Sequence, residues 1–310
     1  MKYYLGVDGG GTKTAFMLAD EKGRVMAECT KKSSNYLQCG IDGLKEVISS
    51  GKDEILKMTG ISEDEIENAF LGCPAYGDIK TDCPMIEGAI KESLGSIPFK
   101  VGNDCENALA GALDGKEGIN IIAGTGSMSC GYNERTGRML RCGGWHHAIG
   151  SDEGSGYWIA WNLLKEFTRQ SDGRDKKTLL YEAVKERLKV GEDDGEVITR
   201  VVDEWKLDRT KVASISTLIT DLYDRNDPYA IRIVRLAAEE LYELAAALKK
   251  RLEFEEDEII SVSGTGGVFK LQERLIDPLS DFLAKGRMVF SPPVHDPIYG
   301  SVILAMKGRH

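Results

Sequence analysis

An apolar strand that runs straight into an acid, three glycines, a hydroxyl and a cation constrains this chain more than any other feature. It reads LGVDGGGTKTAFMLAD, from Leu5 to Asp20. Residues 2–7 read as a strand, 14–20 as a second and 24–30 as a third, with DEKG at 20–23 closing a hairpin. Gly9, Gly10 and Gly11 carry no Cβ, so the backbone N–H groups of that turn can come close to an anion. A glycine triplet alone is an ordinary hairpin corner. Asp8 makes this one different, because a carboxylate ending an apolar strand is costly to bury unless it holds something such as a hydrated Mg²⁺. Thr12 and Lys13 add a hydroxyl and a cation at phosphate reach. The Walker spacing G-x-x-x-x-G-K-[ST] is absent, and a hairpin strand rather than a helix follows the turn, which excludes the dinucleotide fingerprint as well.

The same theme returns. INIIAGTGS at 119–127 is again an apolar strand ending in a glycine and hydroxyl turn (Gly124, Thr125, Gly126, Ser127), and a second hairpin closed by ERTG follows it. A third such turn, Gly264 to Gly267, ends the strand EIISVSGTGGVF. Between the first two turns lie a helix from about Leu44 to Met58, a strand near Ala69 to Gly72, a helix from Cys83 to Leu94, the strand PFKVG and a short helix through Ala112. Residues 156–284 are largely helical, with apolar residues at three and four spacing, and the final YGSVILAMKG reads as a short apolar helix returning to the first domain. A strand, turn and hairpin repeated in one order implies an internal duplication. The expected organisation is an N-terminal domain of 1–115 plus about 290–310 and a larger C-terminal domain of 116–289 with a helical insertion.

Composition narrows the function classes. In 310 residues the net charge is −10, with no basic stripe for nucleic acid and no polybasic segment for a membrane surface. No apolar run approaches the roughly 20 residues of a membrane helix, and MKYYLGVDGG reaches acid and glycine too early for a signal peptide, so a cytoplasmic protein is expected. Seven cysteines with no C-x-x-C pair fit reduced thiols better than disulfides or a zinc ribbon, and adjacent His146 and His147 do not make a metal site.

Six segments in order (LGVDGGGTKT, SSNYLQCG, VGNDCENALAGA, IIAGTGSMSCGY, CGGWHHAIGSDEGSGYWIA and VSGTGGVFK) carry a resemblance over nearly the whole chain. The sequence is similar to the N-acetylglucosamine kinase and BadF/BcrA-type ATPase family. The resemblance implies an α/β fold of two ribonuclease H-like (actin/hexokinase-type) domains around a nucleotide cleft, ATP and Mg²⁺ as cofactors, and a homodimer. It also implies phosphoryl transfer to a hydroxyl of an amino sugar: N-acetylglucosamine, N-acetylmuramic acid or glucosamine. On this reading Asp104, in V-G-N-D, is the base that takes the proton of the sugar hydroxyl; the bland alternative is a helix cap. Asp8 organises the metal through water. Gly10, Gly11, Thr12, Lys13, Thr125 and Gly126 grip the triphosphate, and Gly264, Gly266 and Gly267 lie by adenosine. Asn35, Asp104, Gly144, Trp145 and Asp152 fall on sugar-binding positions, Trp145 being otherwise a core residue and Asn35 a loop turn. HHAIGS, before the D-E-G-S motif, runs one residue longer than the family's usual spacing. The rival implied by the same branch is an ATPase activator of a 2-hydroxyacyl-CoA dehydratase or benzoyl-CoA reductase system with an iron–sulfur cluster, for which Cys105 would be a ligand candidate.

Overall fold

The computed structural model describes residues 1–308, which divide into two units: Met1–Glu117 with the described part of Pro292–His310, and Gly118–Ser291. In the first unit the opening run forms β1 (Tyr3–Gly9) and β2 (Lys13–Asp20), joined by the glycine turn, and β3 (Val25–Lys32) completes the hairpin meander. Asp20 makes the second turn: its carboxylate accepts from the backbone of Lys22 and Arg24 at 2.9 and 3.0 Å and from Arg24 Nε at 2.7 Å. Helix α1 (Tyr36–Thr59) starts eight residues before the periodicity suggests, because Asn35 caps it; Gly40, at φ 71° and ψ 177°, breaks its first turns. β4 (Ile66–Cys73), α2 (Cys83–Leu94), β5 (Phe99–Asn103) and α3 (Asp104–Ala112) follow. The five strands form one sheet in the order β3-β2-β1-β4-β5, antiparallel through the hairpins and parallel for β1, β4 and β5. β1 is therefore the middle strand, which explains its unbroken apolar run.

The second unit repeats this plan. β6 (Gly118–Ala123), β7 (Ser127–Asn133) and β8 (Arg138–Gly143) form the meander. The helical stretch contains α4 (Gly156–Ser171), α5 (Leu179–Leu188), α6 (Glu196–Ile198), α7 (Arg209–Ala213), α8 (Leu218–Asp224) and the long α9 (Pro228–Arg251). β9 (Ile260–Thr265), α10 (Glu273–Lys285) and β10 (Met288–Phe290) close the unit. Its sheet order is β8-β7-β6-β9-β10, with the same orientations as β3-β2-β1-β4-β5. Each unit has its own apolar core, one around Leu5, Phe16, Ile48 and Leu71, the other around Ile121, Phe167, Leu241 and Val262.

The chain then returns to the first unit as α11 (Pro297–Lys307), which packs on α3 and β1. The match is tight because both helices present glycine: a Cβ on Gly300 would stand 2.0 Å from the carbonyl oxygen of Asn107, and one on Gly111 would stand 2.6 Å from that of Asp296. Backbone bonds from Val294 to Ala112 and from His295 to Gly111, at 3.1 and 3.0 Å, lead into the helix.

Candidate functional site

In the first unit the chemistry gathers at the carboxyl ends of the parallel strands, where open α/β sheets bind ligands. Asp8, Gly72 and Gly102 lie in register across β1, β4 and β5. Two residues beyond Gly102, Asp104 opens α3. The helix cap is not Asp104 but Asn103, whose side chain accepts from Cys105 N at 3.2 Å while Glu106 reaches back to the Asn103 amide at 2.9 Å. The bland role considered for Asp104 thus belongs to its neighbour. The charge of Asp104 reaches Asp8 on one side and the buried Cys73 on the other, where burial first and Asp104 second push the thiol up to about 12.

Asn107, which the sequence reading missed, ties α3 to Asp8. It is fully buried one helical turn after Asp104, and its Nδ2 donates to Asp8 Oδ1 at 2.8 Å and to the Val7 carbonyl at 3.1 Å. The reach crosses β4 and requires glycine there: a Cβ on Gly72 would lie 2.1 Å from Asn107 Nδ2. The usable signal was the three-residue step from Asp104 to Asn107, which puts both on one helix face. Asn107 Oδ1 is buried with no partner among the described residues.

Burial, aided by Asp104 and opposed by Asn107 and Lys13, pushes the Asp8 carboxyl from its ordinary 3.8 to about 6. A folded-state value above the unfolded one means that ionised Asp8 costs stability: the cost is absent below about pH 4, grows as pH rises to 6 and is complete above it. Asp8→Asn is therefore expected to be more stable than wild type by about 2–3 kcal/mol at pH 7. Thermal melts of both proteins at pH 4 and pH 7 check this, and the gap should nearly close at the lower pH.

Gly10 donates its amide to the Lys13 carbonyl at 2.9 Å, and its own carbonyl accepts from Ser33 Oγ at 2.7 Å, which ties the turn to the segment leading to Asn35. Gly11 faces open space, and Thr12 and Lys13 are exposed. Asn35 Oδ1 caps α1 by accepting from Leu37 N at 3.0 Å.

In the second unit a cavity of about 590 Å³ brings two of the glycine turns together. Its walls are Gly124 and Thr125 after β6, Gly267 and Val268 after β9, the start of α4 and the hydroxyl-rich segment from Thr210 to Thr220. Gly266 makes the junction possible: it sits at φ 101°, and a Cβ there would lie 2.4 Å from the Ala123 carbonyl oxygen. Gly264 packs directly under the Phe269 ring. The amides of Gly156 and Tyr157, at the start of α4, donate to the carbonyls of Gly124 and Thr125 at 2.8 and 3.2 Å. The amides of Thr125 and Gly126 have no partner among the described residues.

Asp152 lies on the outer side of this turn rather than on an open surface. It is 2% exposed, at φ 70°; Oδ1 accepts from Ser127 N at 3.2 Å and Oδ2 from Arg209 Nη2 at 2.6 Å. No local sequence signal marks Arg209, which stands 57 residues from its partner. Trp145 is 75% exposed, so core packing does not explain it; it follows Gly143 and Gly144, both at positive φ. Asn35 and Asp104 belong to the first unit, and Gly144, Trp145 and Asp152 to the second. Cys73, Cys105 and Cys130 are buried and the other four cysteines partly so. No helix among the described residues is long and apolar enough to cross a membrane.

The model of the BadF/BadG/BcrA/BcrD ATPase family matches residues 5–305. The chain belongs to that family. Within it, this ATPase-family chain is 32% identical over 308 residues to the N-acetylmuramic acid/N-acetylglucosamine kinase of Clostridium acetobutylicum, covering 98% of each chain. It is 31% identical over 320 residues to the N-acetyl-D-glucosamine kinase of Dictyostelium discoideum, with 99% of this chain and 98% of that one covered. Among solved structures, a Chromobacterium violaceum protein superposes with a TM-score of 0.72 at 24% identity, covering 98% of this chain and 99% of that one. A ROK family glucokinase from Streptomyces griseus, solved with glucose and AMPPNP, superposes with a TM-score of 0.57 at 16% identity over 99% and 100% of the two chains. At those identities the likeness is one of fold, and the fold of this family member is the actin/hexokinase type expected from its sequence.

Proposed function

We propose that this protein is an ATP-dependent sugar kinase that phosphorylates a hydroxyl of an amino sugar, N-acetylglucosamine first, with N-acetylmuramic acid and glucosamine as near alternatives. The observation that carries the reading is the pairing of two features in one chain: a cavity of nucleotide size walled by two glycine turns, and an acid pair, Asp8 and Asp104, at parallel strand ends. The two curated relatives above 30% identity, both amino-sugar kinases by name, support the substrate class.

In this reading Gly264, Gly266 and Gly267 shape the adenosine end of the cavity. Thr125 and Gly126 offer their unpartnered amides to the phosphates, and Gly10, Gly11, Thr12 and Lys13 form the second phosphate turn. Asp104 accepts the proton of the attacking sugar hydroxyl. Asn35, Gly144, Trp145 and Asp152 line the sugar's side, Trp145 with an exposed ring to stack on and Asp152 through the turn it anchors.

The described residues contain no cluster of three or more His, Cys, Asp or Glu that could hold a metal alone. That fits Mg²⁺, which keeps several waters and binds by one or two carboxylates plus substrate phosphates. Asp8 would hold it through water, oriented by Asn107, and the ion would neutralise charge on the transferring phosphoryl group. The protein is proposed to act in the cytoplasm as a homodimer. The iron–sulfur activator reading is disfavoured by Cys105, which is 1% exposed and so is not offered to a bridging cluster.

A coupled assay of ADP release across N-acetylglucosamine, N-acetylmuramic acid, glucosamine and glucose tests the proposal. Turnover on the order of 10 s⁻¹ with an N-acetylated amino sugar is expected. ADP release that no sugar stimulates would remove the kinase assignment.

A further inference from the structure

We infer that Arg209 is a phosphate-binding residue of the nucleotide site, placed to contact the terminal phosphate of the triphosphate. The inference rests on the kinase reading above and extends it to a side chain that no motif marks.

Three observations converge on it. First, the guanidinium lies directly over the turn after β6: a Cβ on Gly126 would stand 1.9 Å from Arg209 Nη2, so a side chain there would have to push the guanidinium off the turn. Second, Arg209 opens α7, and the residues that follow it, Thr210, Ala213 and Ser214, line the cavity, so Arg209 stands at the rim where the cavity wall meets the turn. Third, its donors are only partly used. One nitrogen, Nη2, donates to Asp152 Oδ2 at 2.6 Å, while Nε is buried with no hydrogen-bond partner among the described residues. A guanidinium offers five N–H groups in a rigid fork suited to phosphate. The side chain as a whole keeps 36% of its surface exposed, which leaves it open to a ligand.

Position along the turn selects the phosphate. Gly124 and Thr125 line the cavity, and Gly126, under the guanidinium, is the next residue outward. A nucleotide with its base in the cavity runs its phosphates along that turn, so the group farthest from the base meets Arg209. Asp152 holds the guanidinium in place while its own Oδ1 fixes the Ser127 amide, so turn and cation are set by one carboxylate. Arg209 thereby acts on the charge that moves during transfer, as cationic side chains do in other phosphoryl-transfer sites.

The test is calorimetric titration with ADP and with a non-hydrolysable β,γ-imido triphosphate, each with Mg²⁺, on wild type, Arg209→Lys and the double variant Arg209→Met/Asp152→Asn. The lysine variant keeps a charge beside buried Asp152, and the double variant removes both charges at once, so neither leaves an unpaired buried ion. Expected is a loss of at least tenfold in triphosphate affinity for the double variant, a smaller loss for Arg209→Lys, and ADP affinity within about twofold of wild type throughout. A merely structural role would weaken both nucleotides equally, and that result, or no change in either, overturns the assignment of Arg209 alone. Wild type that binds neither nucleotide overturns the kinase reading and Arg209 with it.

Discussion

Replacing Asp104 with Asn is expected to cut sugar-dependent turnover about a thousandfold while ADP affinity stays within about twofold of wild type. The substitution keeps the shape of the side chain and removes only its basicity. It should not disturb α3, because the helix is capped by Asn103 and its capping box with Glu106. It should not disturb the 590 Å³ cavity either, whose walls all belong to Gly118–Ser291. Loss of Asp104's charge also relieves Asp8, whose carboxyl it helps to push up. Steady-state kinetics beside calorimetric titration separate the two quantities. Turnover surviving within tenfold would mean that another group takes the proton.

Gly300→Ala should destabilise the protein by about 3 kcal/mol, a large effect for a single added methyl group. The new Cβ would stand 2.0 Å from the Asn107 carbonyl oxygen and 2.4 Å from the Gly111 amide nitrogen, and both are backbone atoms of α3 that no rotamer change can move aside. Relief requires α11 and α3 to part. Their contact is fixed at several other points, including the bond from Lys307 Nζ to the Gly115 carbonyl at 2.6 Å and the chain entry at Val294 and His295. Urea unfolding measures the cost. Because α3 also carries Asn107, the folded fraction should lose catalytic efficiency too. A change below about 0.5 kcal/mol would show that the two helices slide apart freely.

These two residues differ in how readable they were. Asp104 stood out through the V-G-N-D segment, and the strand that precedes it and the helix it opens followed from local pattern. Gly300 looked like one glycine in a short apolar helix; its importance comes from α3, 189 residues away at Gly111, which no periodicity connects to it. The glycine turns at Gly9–Gly11, Gly124–Gly126 and Gly264–Gly267 were legible because the need for absent Cβ atoms is a local property of the backbone. The start of α1 was misjudged for a local reason as well: Gly40 interrupts the helical period that would have pointed back to the cap at Asn35.

The site divides along the same line. Asp152 stood out through its motif, but its partner did not: only folding brings Arg209 across 57 residues to its carboxylate. Asn107 was in plain view one turn from Asp104, yet its bond to Asp8 depends on Gly72 in an intervening strand being small enough to reach over. What the amino-acid order alone determined is the sequence of strands, turns and helices, the three anion-sized corners and the acid at each of two strand ends, since these arise from short-range backbone sterics and hydrophobic period. What only the tertiary structure decided is which distant side chain completes each corner. Burial and hydrogen bonding act between residues brought close in space, and the chain's linear order carries no record of that closeness.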